Sequence, residues 1–223
     1  GRDETVADAP FSWGSGFDPT RLRVGYVETE FERFPRNRLF RQPRSAEGQL
    51  SALRAALNDL RDAGVNLEPI ELPQFPAEAL RLILDAEAAA VFDDLTRNRG
   101  IDLLTEQGAD AWPNNFRASR LIPAVEYIRA QRARTLLARE MDEVMSQFDL
   151  FLSPARSASL TMTNLTGHPA LVMKAGFSDG LPVALIMTGR LYDEETILQV
   201  ARVYERVTNW HTMHPTLDTL RAL

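Results

Sequence analysis

The sequence predicts an α/β fold in which helices flank a mixed β-sheet, and two patterns lead to this prediction. The first is a strand–helix–strand succession in residues 22–70, an order that implies a right-handed crossover between parallel strands. The second is Asp179-Gly180 between two apolar runs, which is the strongest short signal for a hairpin of antiparallel strands. Parallel and antiparallel pairs in one chain indicate a mixed sheet.

The composition is that of an ordinary globular protein. The chain has 223 residues, 44% of them hydrophobic and 25% charged, with a formal net charge of −6. An acidic chain is a poor candidate for nucleic-acid binding, which usually needs a basic face. There is no cysteine, so disulfides and thiol chemistry are excluded. No apolar run approaches the ~18 residues of a membrane span. We therefore expect a cytoplasmic protein that binds neither nucleic acid nor membrane.

Residues 1–20 are polar and rich in turn formers, and we expect them to be a linker. The chain begins with Gly1 where an unprocessed chain begins with Met, so we expect either that a segment before it has been removed or that the chain was cut there on purpose. Gly14-Ser15-Gly16 is interpreted as a flexible connector, since no strand precedes it and no base accompanies it. Residues 29–44 mix arginine with phenylalanine, which suits either stacking on nucleic acid or a solvated loop. The mix is short, so the loop is favoured.

The first strand and helix follow from apolar periodicity. Residues 22–27 form a short β-run. Ser45 is placed to cap a helix that Gly64 ends. The apolar face of this helix repeats at helical spacing and comprises Leu50, Leu53, Leu57 and Leu60. Residues 65–70 then alternate as a second strand, which completes the crossover.

A second helix is predicted over residues 76–99, with Pro76 in its first turn. Its apolar face comprises Leu80, Leu84, Val91 and Leu95. Its carboxylates are interpreted as a solvated face, not as catalytic acids. Residues 100–118 are predicted to be a polar loop, in which Trp112 either walls a pocket or anchors the loop.

The longest helix is predicted over residues 123–148. Its buried stripe comprises Val125, Ile128, Leu136, Leu137, Met141, Val144 and Met145. A strand follows over residues 149–152. Asp193 is placed to cap the last helix, whose core face includes Ile197, Ala201 and Tyr204. Residues 211–223 are expected to be a tail, which leaves 21–210 as the main domain.

Between these elements, residues 163–169 predict a polar turn that feeds two apolar strands. Asn164 and Thr166 are short polar side chains that hydrogen-bond their own backbone in turns. Gly167 supplies a position at which φ can be positive. His168 is interpreted as a side chain that packs in the turn.

The order of Asn164, Gly167 and Pro169-Ala170, followed by Gly180-Leu181-Pro182-Val183, resembles the C-terminal half of the amidase signature family. The resemblance runs through most of residues 22–210. It implies the C-terminal portion of an amidase signature fold and of an enzyme that hydrolyses carboxamides.

That resemblance also implies a serine nucleophile, a relay serine and a lysine base, which this sequence does not supply. It has no Gly-Gly-Ser-Ser run, and Lys174 is its only lysine. A Ser153–Lys174 dyad is disfavoured because neither residue lies in a glycine-rich loop. We therefore predict no catalytic residue in this chain. His211 and His214 have no third ligand nearby, so we predict no metal and no cofactor.

The resemblance implies that the chain supplies walls of a substrate pocket. The expected residues are Asn164, Thr166 and Gly167, because this turn approaches the nucleophile loop in the family, followed by Trp112, Arg117 and Arg120. In amidotransferase members an arginine in the neighbourhood of the last two holds the substrate carboxylate, a task that suits a guanidinium. Which of the two arginines corresponds is open.

The expected partners are the N-terminal part of the same amidase and a small carboxamide substrate. Self-association is also expected, because a halved sheet exposes strand edges and apolar faces. Two alternatives stay open. One is a non-catalytic module that binds a ligand or partner. The other is a relative of the glutamyl-tRNA amidotransferase A subunit, which is disfavoured because those members carry an acidic residue in the loop after residue 153, and no acid lies between Ser153 and Gly176.

Overall fold

The computed structural model describes residues 11, 13–14, 17–32, 45–155 and 157–216. Ser15, Gly16, residues 33–44 of the arginine-rich segment and residues 217–223 of the expected tail lie outside this range. The chain divides into two compact units. The first, the sheet unit, comprises Gly1–Leu72 with Met141–Leu223, and the second, the helical unit, is Pro73–Glu140.

The sheet unit contains a five-stranded sheet with the strand order β2-β1-β3-β5-β4. The strands are β1 (Val24–Val27), β2 (Leu67–Ile70), β3 (Leu150–Pro154), β4 (Ala170–Ser178) and β5 (Leu181–Gly189). Strand β1 pairs in parallel with β2 and β3, whereas β5 pairs antiparallel with β3 and β4. The predicted mixed sheet is therefore confirmed.

Eight α-helices lie in the described ranges. They are α1 (Glu28–Glu32), α2 (Ala46–Asp62), α3 (Arg81–Val91), α4 (Asp93–Arg97), α5 (Trp112–Ser119), α6 (Ala124–Met145), α7 (Ala158–Thr166) and α8 (Glu194–Val207). Helix α6 begins in the helical unit and ends in the sheet unit. None of the helices that the structure describes is both long and apolar enough to cross a membrane.

Helix α2 forms where the sequence predicts it. The Ser45 hydroxyl accepts a hydrogen bond from the backbone N–H of Gly48 at 3.0 Å, and the chain leaves the helix before Gly64, which has φ +88°. Leucines of α2 are buried with apolar residues of the sheet and of α8 in one core. This core includes Val24, Leu53, Leu57, Leu60, Leu150, Leu152, Leu185, Met187, Ile197, Val200 and Tyr204.

The predicted hairpin is also confirmed. Asp179 and Gly180 have φ values of 53° and 73°, the left-handed pair that a tight turn between twisted strands requires. Ser178 pairs with Leu181 across the turn. The Asp179 carboxylate accepts a hydrogen bond of 2.8 Å from the backbone N–H of Ser45, so the turn also holds the start of α2.

The prediction of one helix over residues 76–99 is wrong. A 3-10 turn precedes α3, and Phe92 leaves helical geometry with φ −97° and ψ 22°, which separates α3 from α4. The burial also differs from the predicted apolar face. Leu84 and Val91 are 50% and 76% exposed, and Ile83 and Ala89 are buried instead.

The prediction of a loop over residues 100–118 is wrong for its second half, which is α5. Pro113 lies in the first turn of α5, where its missing N–H costs nothing. The Phe116 ring packs between Phe92, at 5.0 Å between ring centroids, and Trp112, at 5.4 Å. These aromatic contacts stabilise a helix whose two asparagines are weak helix formers.

Burial of Tyr204 gives a prediction about stability. Its side chain is 1% exposed, and its hydroxyl has no hydrogen-bond partner within the described residues. Burial raises the pKa of Tyr204, and the Asp59 carboxylate raises it further. A buried donor without a partner costs free energy, so we expect Tyr204→Phe to leave the free energy of unfolding unchanged or to raise it by up to about 1 kcal/mol.

Urea denaturation measures this effect, and Tyr127→Phe is the matched control. The Tyr127 hydroxyl donates to Glu87 at 2.9 Å and accepts from Gln131 at 2.7 Å. Loss of these bonds is expected to cost about 1 kcal/mol. A clear loss of stability in Tyr204→Phe would contradict this account of the hydroxyl.

Candidate functional site

Of the polar turn that the sequence predicts at residues 163–169, residues 163–166 are the last turn of helix α7, so the prediction is wrong for these four residues. Gly167 caps the helix with φ +80°, and its N–H donates to the Thr163 carbonyl at 2.9 Å. The N–H of His168 donates to the same carbonyl at 3.2 Å. Asn164 is exposed on the outer face of this turn. Helix α7 therefore presents the Asn164 amide to the surface just before the chain enters β4.

The hydroxyl of Thr166 stabilises the end of α7. It donates to the Met162 carbonyl at 3.0 Å and lies 2.7 Å from Nδ1 of His168. Burial lowers the pKa of His168, and the Asp142 carboxylate opposes this effect. The imidazole is therefore biased toward its neutral form, which accepts or donates one hydrogen bond at Nδ1.

The lowered pKa of His168 makes stability depend on pH. Below the ordinary histidine pKa of 6.5, His168 is protonated in the unfolded chain but is still neutral in the folded chain, because its pKa there is lower. Folding stability is therefore expected to fall as the pH drops through 6.5 toward the lowered value. We expect the wild type to lose more stability than His168→Gln between about pH 7.5 and about pH 5 in urea titrations. Equal losses in the two proteins would contradict this.

The other end of α7 is held by a buried hydrogen-bond network. The Glu30 carboxylate accepts hydrogen bonds from the backbone N–H and the hydroxyl of Ser159, both at 2.9 Å. The Ser157 hydroxyl lies 2.7 Å from the Ser159 hydroxyl and donates to the Pro154 carbonyl at 2.7 Å. Ser159 is only 1% exposed and Ser157 6%. Glu30 therefore anchors the start of α7.

This network lies at a position where ligands commonly bind in α/β sheets. Glu30 follows β1 and Ser157 follows β3, and these two strands are parallel neighbours. Strands β2 and β3 lie on opposite sides of β1, so the strand order reverses between β1 and β3. The carboxyl ends of strands at such a reversal form a crevice. Glu30 is not among the site residues predicted from the sequence, although a carboxylate three residues after a strand is a signal.

The network is not a nucleophile site. Ser159 is too buried to meet a substrate, and no hydrogen bond joins a serine hydroxyl to lysine or histidine in the part of the chain that the structure describes. Ser153 lies on β3 and Lys174 on β4, with β5 between them. The Lys174 ammonium donates to the Met213 carbonyl. The structure therefore does not assemble a Ser153–Lys174 dyad.

The other predicted site residues lie in the helical unit, on α5 and directly after it. Arg117 donates to Asp102 at 2.8 Å, and Arg120 forms an ion pair with Asp93. Trp112 is 48% exposed and stacks on Phe116. The structure thus places Asn164, Thr166 and Gly167 at one helix end in the sheet unit, and it places Trp112, Arg117 and Arg120 on or directly after α5 in the helical unit with different partners.

Arg120 lines a cavity of about 500 Å³ in the helical unit, together with Glu87, Asp93 and Tyr127. Arg117 and Trp112 are not among its lining residues. The cavity combines small apolar residues of α3 with one guanidinium that already has a carboxylate partner. A substrate carboxylate would have to compete with Asp93 for Arg120.

A second cavity of about 580 Å³ lies in the sheet unit and is lined by residues that include Trp13, Phe17, Arg202 and Arg206. It contains none of the predicted site residues.

Both His211 and His214 are exposed. Within residues whose structure is described, no three histidine, aspartate or glutamate side chains form a group that could hold a metal ion.

Comparison with known proteins shows which family the chain resembles. No protein-family model matches the chain. It is 32% identical to the glutamyl-tRNA(Gln) amidotransferase A subunit of Roseiflexus sp. (strain RS-1) over an alignment of 207 positions, which covers 75% of this chain and 42% of that protein. It is 31% identical to an amidase of Pseudomonas putida over 204 positions, which cover 75% of this chain and 41% of the amidase.

The chain belongs to the amidase signature family. It corresponds to the C-terminal part of these relatives. The native peptide amidase of Stenotrophomonas maltophilia shares the fold, with a TM-score of 0.70 at 23% identity over 96% of this chain and 50% of that one. The amidase signature resemblance and the fold predicted from the sequence are thereby confirmed. The chain spans about two-fifths of the length of the curated relatives that it matches.

Proposed function

We propose that the chain is the C-terminal portion of an amide hydrolase, in which it supplies walls of the substrate pocket. A complementary N-terminal portion supplies the serine nucleophile and the lysine base. The observation that supports this most strongly is the 31% identity to an amidase over 41% of its length. The absence of an activated hydroxyl in the described residues agrees with it, since a serine needs an adjacent base to attack an amide.

The end of α7 is the best candidate for a pocket wall in the sheet unit. Asn164 is exposed, and its amide has no hydrogen bond to another described residue. A Cβ added at Gly167 would meet nothing within 4 Å, so the space above this glycine is open. An amide donor beside an open backbone position suits a polar substrate group. Thr166 is proposed to stabilise the end of α7 and not to contact the substrate, because its hydroxyl donates to the Met162 carbonyl.

In the helical unit, we propose Arg120 over Arg117 as the residue that meets a substrate carboxylate. Arg120 lines the cavity of about 500 Å³, whereas the Arg117 guanidinium pairs with Asp102 and does not line it. Trp112 offers an exposed apolar ring on the same helix as Arg117. A bidentate carboxylate would replace Asp93 as the partner of Arg120.

Hydrolysis of a chromogenic amide, such as an acyl p-nitroanilide, tests this proposal. The chain alone is expected to release no p-nitroaniline above the uncatalysed rate. The chain combined with the complementary N-terminal portion is expected to release it. Turnover by the chain alone would contradict the proposal, and so would an inactive complex over a panel of carboxamides.

A second candidate function is that of a glutamyl-tRNA(Gln) amidotransferase A subunit. The 32% identity to the Roseiflexus protein favours it. The sequence between Ser153 and Gly176 opposes it, because it lacks the acidic residue that the family's amidotransferase members carry there. Helix α7 fills much of this segment, and the carboxylate that reaches it, from Glu30, is occupied by Ser159. Release of ammonia from glutamine by the complete enzyme would support this candidate over the amidase.

A further inference from the structure

Helix α6 carries apolar residues on two opposite sides. One side is buried and includes Ala130 and Leu137, which are 5% and 0% exposed. The other includes Val125, Ile128 and Leu136, which are 60%, 58% and 53% exposed. The prediction from the sequence of one buried stripe on this helix is wrong for these three exposed residues.

Helical geometry shows that the exposed residues form one stripe. At about 100° per residue, positions 125, 128, 132 and 136 lie within about 80° of each other around the helix axis. Positions 130 and 137 lie roughly 120° to 140° from position 125. We call Val125, Ile128, Arg132 and Leu136 the outer stripe of α6. A helix that is apolar on two opposite sides is typical of one that lies between two layers.

The outer stripe belongs to a region that is rich in exposed apolar side chains. Ten of the eighteen large hydrophobic residues that are exposed in the described ranges belong to the helical unit. Leu103 and Leu121, for example, are 88% and 83% exposed. Single exposed apolar residues are ordinary, whereas the apolar residues of the outer stripe share one face of α6 and therefore lie side by side.

We infer that the outer stripe of α6 is a docking face for the complementary N-terminal portion of the enzyme. The inference rests on the proposed function. Its first support is length, since 58% of the Roseiflexus protein and 59% of the Pseudomonas amidase lie outside the matched part (100 − 42 and 100 − 41). The unmatched part of such a protein is long enough to form a further layer that covers the outer stripe.

Charge argues against a second copy of this chain as the occupant. An antiparallel pairing that lays Ile128 on Leu136 of the second copy also brings Arg132 onto Arg132 of that copy, since 128 + 136 equals twice 132. A parallel pairing in register brings the same arginines together. Like charges in direct opposition destabilise a contact. Arg132 is exposed and has no ion pair among the described residues, so it fits a partner with an acidic group at the centre of an apolar patch.

Two charge substitutions test the docking face. We expect Ile128→Lys and Leu136→Lys to weaken binding of the complementary N-terminal portion at least tenfold in a titration followed by analytical ultracentrifugation. Val207→Lys is the matched control, because Val207 is 51% exposed on α8 in the sheet unit. It is expected to bind like the wild type. All three residues are exposed, so thermal unfolding of the variants is expected to match the wild type.

The outcomes separate this inference from the proposed function. Equal binding by the wild type and both α6 variants would overturn the docking face. So would a wild-type dimer of this chain that both variants dissociate, or no binding of the N-terminal portion at all. Selective loss of binding in the two α6 variants, in a wild-type complex that hydrolyses no amide, would support the docking face while refuting the proposed function.

Discussion

Replacing Glu30 with alanine is expected to lower the free energy of unfolding by about 2 to 3 kcal/mol, because the backbone N–H and the hydroxyl of Ser159 would lose their partner. Ser159 is 1% exposed, so water cannot replace the carboxylate without a rearrangement of α7. Urea denaturation followed by circular dichroism measures the change. Hydrogen exchange at α7 is expected to increase in the same variant.

Two variants control for this effect. Glu30→Gln keeps an oxygen for the Ser159 N–H and offers its amide group to the Ser159 hydroxyl, so it is expected to recover most of the stability. Glu32→Ala removes an exposed carboxylate from the same helix and is expected to change stability by less than about 0.5 kcal/mol. Similar losses for Glu30→Ala and Glu32→Ala would show that Glu30 does not anchor α7.

Replacing Asn164 with alanine is expected to lower kcat/KM of the complete enzyme about 10- to 100-fold, because loss of one hydrogen bond to a bound substrate costs about 1 to 3 kcal/mol and each 1.4 kcal/mol is about tenfold in rate. Stability is expected to change by less than about 0.5 kcal/mol, because the Asn164 side chain is exposed and bonds no other described residue. Steady-state kinetics on an acyl p-nitroanilide measure the first effect.

Asn58→Ala is the control, since Asn58 is an exposed amide on α2 whose oxygen accepts a hydrogen bond from Arg61 at 3.0 Å. It is expected to leave kcat/KM unchanged. If Asn164→Ala had the activity of the wild type, the end of α7 would have to be removed from the substrate pocket.

The parts of the fold that the sequence predicted correctly depend on neighbouring residues. Ser45 caps α2 through the N–H of Gly48, only three residues away. Asp179 and Gly180 form the hairpin because left-handed φ angles are accessible to these residue types. Capping and turn geometry are local, so a short stretch of sequence carries enough information to specify them.

The parts that the sequence predicted wrongly depend on residues far along the chain. Helix α7 contains three threonines and an asparagine, which are weak helix formers, and its start is held by Glu30, 129 residues before Ser159. Helix α5 depends on Phe92, which lies outside it. On α6 an apolar pattern cannot show which of two apolar sides is buried, because burial depends on what is packed against each side.

The central claim is that this chain is the scaffold side of a cleft whose reactive groups belong to other polypeptide. A serine-directed fluorophosphonate tests it most directly, because such a probe forms a covalent bond only with an activated hydroxyl. After the complete enzyme reacts with the probe and is digested, mass spectrometry is expected to find the adduct on the N-terminal portion and none within these 223 residues. An adduct on Ser153, Ser157 or Ser159 would contradict the claim.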